Sequence, residues 1–544
     1  PHPTGRNSVS VPTMEPEQQP SSPRHDEGRK KRGGEGKMGW MNEDVVQNIL
    51  ERLPAASFAF AACVSRSWNR VSRLVLSSRP ALASALSLNP SPTAALEEVV
   101  EKVLSAPIRP DFALAHVTGS GFGLNRTIRF LGERLGWSTP IVVSRANGVF
   151  GRNVATSEYL EFNGGDGVHD HGGESKNDNS SGVVLTVFFL PGIKVGVFPL
   201  LHPKNEEPNN ATFQQFLTDI KSFSASASDS MSPALIMMFG NRAVDQKPII
   251  DQLDKALSKE TIILGDERTQ FSYRTGKEPK GSAHTKTLSD SVALVLAKDS
   301  NKPLGMGEIK FHTGFSRGLS AIGPVYRAVS VRTSDTDRST WLTAKRNGHG
   351  EILDGTSIMS EINDELDRYV GCPELFIGIS RRRKCFTGCE NSTMSFHGVL
   401  EGTEDYLTVD GTGIRTRDYF QFYMSDPDVA LSACNEFTAK IKNLKLEWNP
   451  RNPLTHRATA NDAGTEFIGG LVFACCGRGE SFFAKANVDS SPFLENFPGA
   501  PVAGIYCCGE TARGISTGYP GHCCTHAYST VYLGFSYTPA PLQE

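Results

Sequence analysis

The 544-residue chain has no run of about 18 apolar residues, the length a helix needs to cross a bilayer, so no membrane partner is expected. It also lacks an excess of basic charge. Its 56 Lys and Arg stand against 59 Asp and Glu, a net −3, too little for a face that neutralises phosphates, so no nucleic-acid partner is expected. The opening residues, PHPTGRNSVS, are without the apolar stretch of a secretory signal. Eleven cysteines in that setting point to reduced thiols and a cytoplasmic or nuclear location. No C-x-x-C spacing is present, and no 20–29-residue period with L-x-x-L-x-L spacing appears. That absence removes the leucine-rich repeat as a reading module. The length calls for about three domains, since one core does not grow that large.

What the chain does have begins with polar segments. Residues 1–37 hold Pro, Ser, Gly, Glu and Lys with almost no bulky apolar residue and read as a disordered tail. Within it, Arg29-Lys30-Lys31-Arg32 reads as solvated charge more readily than as an import signal. A second polar insert, Asn163 to Ser181, reads as a long exposed loop. His169 and His171 lie in it without the fixed geometry that a metal site needs.

Between these lies the most informative stretch, KMGWMNEDVVQNILERLPAASFAFAACVSRSWNRVSRLVLSSRP. Asn42 is a helix cap, and Glu43 and Asp44 suit the positive first turn. Val45, Ile49 and Leu53 fall on one face, widened by Val46 and Leu50. Pro54 stops that helix, and a second apolar period opens at Phe58. Three helices this short cannot bury all their apolar residues against each other. The segment resembles an F-box, through IL-x-x-LP at Ile49 to Pro54 and C-V-S-R-S-W at Cys63 to Trp68. One departure is Met41-Asn42, where the family usually has Leu-Pro. The resemblance implies docking to a Skp-family adaptor, and through it to a cullin–RING core, by Val45, Ile49, Leu50, Leu53, Pro54, Phe58, Val64 and Trp68.

After Pro110 short apolar runs alternate with amphipathic stretches. Strands are expected at Phe112–Val117, Ile141–Val143, Ala234–Phe239 and Thr261–Leu264, with helices at Leu124–Leu135, Phe213–Phe223 and Pro248–Leu257. Val183–Leu190 and Ile193–Leu200 read as a hairpin turning at Pro191-Gly192. Beyond Ser291 strands dominate. The expected fold is α+β and multidomain, a small helical F-box followed by two layered α/β domains. The expected boundaries are an F-box at 38–85, a helical linker at 86–108, and domains at 109–318 and 319–537. Gly119-Ser120-Gly121-Phe122-Gly123 sits between strand and helix, yet without a phosphate-binding spacing, and reads as a tight turn.

Cysteines cluster at Cys475-Cys476, Cys507-Cys508 and His522-Cys523-Cys524-x-His526. Neighbouring strand residues point to opposite faces, so each pair offers one thiolate to a common centre, and neither a metal nor another cofactor is expected. A catalytic thiolate would need a fixed base, for which the sequence offers only His526 or Arg478. Gly477 and Gly479 permit positive φ beside a strand end. Arg478 carries a fork suited to a carboxylate, and Gly509-Glu510 closes a second strand. These five residues make a candidate ligand or substrate rim, or else an Arg478–Glu510 tie between two loops.

Gly469 to Glu510 resembles the C-terminal FIST domain, through F-A-C-x-G-R-G at Phe473 to Gly479, F-P-G-x-P at Phe497 to Pro501 and the strand ending Gly509-Glu510. An F-box followed by FIST regions is similar to the F-box-only protein twenty-two family. That resemblance implies a non-catalytic receptor subunit of a ubiquitin ligase, whose FIST region recruits an unidentified protein for ubiquitination and proteasomal degradation. It implies as an alternative a sensor of small, amino-acid-like molecules, with ligand controlling ligase recruitment.

Overall fold

The computed structural model describes residues 42–78, 80–164, 181–201, 210–277, 289–303, 305–334, 338–369, 373–384, 390–448, 464–513 and 524–540. The tail at 1–37, His169, His171, Cys385, Cys389, His522 and Cys523 lie outside the described residues.

Three helices come first, α1 (Glu43–Leu50), α2 (Ala55–Ala62) and α3 (Arg66–Ser78). Then follow β1 (Ala81–Ser87), α4 (Pro92–Val103), β2 (Phe112–Thr118), α5 (Leu124–Leu135), β3 (Ile141–Arg145), β4 (Gly148–Arg152) and β5 (Tyr159–Asn163). The chain continues through β6 (Gly182–Phe189), β7 (Ile193–Leu201), α6 (Asn210–Ala227), β8 (Leu235–Asn241), α7 (Lys247–Ala256), β9 (Ile262–Arg274), β10 (Ser289–Lys298) and β11 (Glu308–Ser316). Next come β12 (Leu319–Ser334), β13 (Ser339–Arg346), α8 (Gly355–Leu366), β14 (Leu375–Lys384), β15 (Glu390–Gly402), β16 (Leu407–Asp410) and β17 (Tyr419–Ser425). The last elements are α9 (Pro427–Trp448), β18 (Glu466–Cys475), α10 (Glu480–Phe483), α11 (Ser491–Asn496), β19 (Val502–Cys507), β20 (Glu510–Arg513), β21 (Cys524–Thr525) and β22 (Thr530–Thr538).

Two sheets stack face to face. The larger runs β1-β6-β2-β3-β9-β8-β10-β7, with β20 and β21 joined to it at β9. The smaller runs β11-β22-β18-β19-β4-β5. Strand alternation assigns each residue to a layer. In β2, Phe112 and Leu114 point into the core between the sheets, while Ala113, Ala115 and Val117 face the core under α4 and α5. In β22, Val531, Leu533 and Phe535 enter the shared core, and Tyr532 faces outward to Phe437 of α9 and Phe493 of α11. Phe188 and Phe535 meet across the sheets with ring centroids 5.5 Å apart. The result is four layers, helix on sheet on sheet on helix, with strands buried on both faces. That explains why β2 reads as an apolar run interrupted only by His116 before Thr118.

The third sheet is a closed barrel, β12-β13-β16-β15-β14-β17, filled by Tyr326, Ile377, Phe420 and Phe422 and packed against Ile358 and Ile362 of α8.

Three expectations are corrected. Residues 109–318 and 319–537 do not form two successive α/β domains, because β4 and β5 pair into the smaller sheet through β19, and β20 returns to the larger sheet through β9. Residues 319–425 are the barrel instead. The expected linker at 86–108 holds the end of β1, which pairs with β6, followed by α4. β6 and β7 form no hairpin. Both edges of β6 are already taken by β1 and β2, so β7 crosses to the open edge of β10. Gly192, at φ +80°, makes the redirecting turn. At Gly119 to Gly123, the Arg145 guanidinium donates to the carbonyls of Gly119 and Phe122 and fixes the loop as a turn. No helix among the described residues is long and apolar enough to cross a membrane.

Candidate functional site

The three-helix module is set up by local capping. Asn42 Oδ1 accepts from the N–H of Asp44 at 3.4 Å, and Glu43 and Asp44 lie in the first turn of α1. Pro54 stands at the N-cap of α2, and Ser65 Oγ accepts from the Trp68 N–H at 3.2 Å to start α3. Glu43 and Arg70 form an exposed ion pair between α1 and α3. The Ala55 N–H donates to the Leu104 carbonyl at 2.9 Å, tying the module to the chain just beyond α4.

The core of the module is Val46, Leu50, Phe58, Ala61 and Val71, with Leu53 and Trp68 half-buried against it. Outside it, Val45, Ile49, Val64 and Leu74 are exposed, and Phe60 is 78% exposed.

Of the eight residues expected to dock an adaptor, Val45, Ile49, Pro54 and Val64 present surface, and Leu53 and Trp68 do so in part. Leu50 and Phe58 do not. They are buried in the module's own core, at 0% and 4% exposure. Phe60 and Leu74 take their place as exposed apolar groups absent from that expectation. The signal for Phe60 was present: two residues on from a buried Phe58, a helix has turned about 200°.

The second expected site folds into a different object. Arg478 is buried, and its fork closes on Asp489, not on Glu510. Nη2 donates to Oδ1 at 2.7 Å and Nε to Oδ1 at 3.0 Å. Nη1 donates to the Tyr528 carbonyl at 2.9 Å and Nη2 to Ser316 Oγ at 3.1 Å, while Thr530 Oγ1 donates to Asp489 at 2.7 Å. Burial is the largest influence and would lower the guanidinium pKa, but the Asp489 charge and hydrogen bond, together with Cys434 and Tyr532, outweigh it and leave the pKa raised. Glu510, also buried, accepts at Oε1 from the N–H and hydroxyl of Ser529. Its Oε2 has no hydrogen-bond partner among the described residues, and burial pushes its carboxyl well above the usual range.

The glycines serve close packing. A Cβ at Gly477 would lie 2.5 Å from the Tyr528 ring, and one at Gly479 2.6 Å from the Tyr506 hydroxyl. At Gly509 it would lie 2.7 Å from Glu267. This cluster is a buried tie among β11, β22 and the loops after β18, and it leaves Arg478 and Glu510 without the solvent face a rim requires. Asp489 was invisible to motif reasoning because it belongs to a loop between two short helices.

The Cys507 thiol is fully buried and pushed well above its usual range, an inert environment.

Comparison with known proteins bears on the first site. The F-box domain matches residues 40–78, the span of α1 to α3. An F-box/LRR-repeat protein of Arabidopsis thaliana is 36% identical over 515 residues, covering 92% of this chain and 93% of the relative. The leucine-rich-repeat part of that name has no counterpart among the described residues. The parallel strand pairs are β2 with β3, β8 with β9 and β18 with β19, all inside mixed sheets, not a stacked solenoid.

Proposed function

Because the chain belongs to the F-box protein family, we propose that it is the substrate-receptor subunit of a Skp–cullin–F-box ubiquitin ligase. F-box domains bind the Skp adaptor of such ligases. One observation carries the reading for this chain. The three-helix module closes its own small core and still leaves Val45, Ile49, Phe60, Val64 and Leu74 open on its helices and on the turn between α2 and α3. Apolar side chains held on a folded, capped scaffold offer an interface whose ordering cost is already met. The sandwich and barrel, read as the FIST region, present a target protein for ubiquitination and degradation. Such a receptor performs no chemistry. It raises the effective concentration of target lysines near a charged E2 enzyme. The location in keeping with this role is cytoplasmic, nuclear or both.

The test uses the full chain and a purified Skp-family adaptor in titration calorimetry. Val45→Asp with Ile49→Asp changes exposed positions and should retain the circular dichroism of the parent while abolishing binding. Undiminished binding by a folded double variant sinks the reading.

A second reading, a small-molecule sensor with ligand-controlled recruitment, draws on a cleft of about 690 Å³ lined by Pro80, Leu82, Lys445, Trp448, Phe467 and Phe497. Its volume is in the range of ligand sites, and it adjoins the segment joining α3 to β1. Thermal shift of the full chain against free amino acids tests it, and a flat response to all of them removes it.

A further inference from the structure

β18 and β19 run parallel with Cys475 opposite Cys507, so the next residues, Cys476 and Cys508, leave the two strand ends side by side. The Cys476 N–H donates to the Cys507 carbonyl at 2.8 Å and pins this register. The Sγ atoms of Cys476 and Cys508 lie 3.9 Å apart, both residues are half-buried, and Cys508 Sγ is 3.4 Å from Asn147 Oδ1. Neighbouring strands put Cα atoms about 4.8 Å apart, inside the range a disulfide spans.

We propose that Cys476 and Cys508 form a dithiol site that a hydroperoxide closes into a disulfide. The two thiols are not equivalent. The Cys508 thiol is lowered to about 6, first by its hydrogen bond with Cys476, against the opposing effect of burial, and further by the charges of Arg268 and Arg242. Asp266 and Glu267 face the same corner from β9, and Cys475 from β18. Cys476 is raised and stays protonated.

Cys508 is therefore the attacking thiolate and Cys476 the resolving thiol. The Cys508 sulfur attacks one peroxide oxygen, the O–O bond breaks, and the departing alkoxide takes a proton to leave as alcohol, giving a sulfenic acid. Cys476 then attacks the Cys508 sulfur, the S–S bond forms, the S–O bond breaks, and hydroxide leaves with the Cys476 proton as water. Two thiols lose two electrons, and one hydroperoxide gains them.

The experiment treats the full chain with equimolar hydrogen peroxide and maps its peptides by mass spectrometry. Expected is a Cys476–Cys508 linked peptide short of two hydrogens. Cys476→Ser should leave a dimedone-reactive sulfenic acid on Cys508, and Cys508→Ser should protect Cys476. Cys63, exposed on the F-box, is the internal reference. Labelling of Cys508 should persist as pH falls from 8 to 6. A link joining Cys475 to Cys476 overturns the proposal. So does recovery of both thiols unmodified while Cys63 oxidises, or a Cys476 that oxidises equally fast in Cys508→Ser.

Discussion

The F-box and the sandwich dispose of their apolar residues in opposite ways. In the F-box, five buried side chains hold three helices together while a phenylalanine and several aliphatic groups face outward. In the sandwich, both faces of both sheets are covered, and even charged groups such as Arg478, Asp489 and Arg513 are buried with partners. The larger body has enough chain to finish its own core, and the small module does not. A region whose surface is unfinished on its own is built for association. A region with its charges tied inside is built for a fixed shape.

The largest effect that could break this contrast concerns the buried tie. Asp489→Ala strands the Arg478 guanidinium without its carboxylate and should cost about 3–5 kcal/mol in denaturant unfolding of the full chain. A loss below about 1 kcal/mol would mean the tie does not hold the body together.

Acid should separate the two regions next. His116 is buried, with Nδ1 2.7 Å from Ser144 Oγ, and burial lowers its pKa to about 3. The unfolded chain takes up this proton below about 6.5 and the native state does not until about 3. The stability it contributes is complete above 6.5 and falls as pH drops through that window, by up to about 3 kcal/mol at pH 4. Asp111, raised to about 6 chiefly by burial, works in the opposite direction. Comparison of wild type with His116→Gln isolates the histidine, and the variant should show the shallower pH slope. Residues 42–78 contain no histidine, so adaptor binding should change little over the same range.

On the docking side, Phe60→Ala should weaken adaptor binding by roughly 30-fold or more, about 2 kcal/mol, while moving unfolding by less than about 0.5 kcal/mol. Equal affinity in calorimetry would remove the aromatic from the interface. The smallest effect belongs to Glu43→Gln. This removes an exposed ion pair with Arg70 and should shift stability by no more than about 1 kcal/mol, less in high salt.

Local patterns in the sequence carried well into the structure where the physics was local. α5 was legible to its end residues, because its amphipathic period opens after Gly123 and stops at Gly136. The cap at Asn42 and the break at Pro54 were legible for the same reason. Pairing was not. Val183–Leu190 and Ile193–Leu200 have every mark of a hairpin, yet partner choice was settled by which edges β1, β2 and β10 left open. The domain boundaries failed likewise, since β4 and β20 each cross to a sheet built mainly from distant chain. At the candidate sites, residue types were readable and directions were not. Phe58 and Phe60 differ only in helical phase, and Arg478 chose an aspartate eleven residues on over a glutamate on β20 of the other sheet.

The barrel begins and ends at one spot. Leu319 pairs with Ser425, and the Asp426 N–H donates to the Gly318 carbonyl at 2.9 Å. A hundred-odd residues therefore leave the rest of the chain through adjoining doors, and a short splice across them would preserve the register of every strand on either side. Whatever that cassette contributes, evolution could have acquired it in a single insertion, and an engineer could trade it for another without redrawing the scaffold beneath.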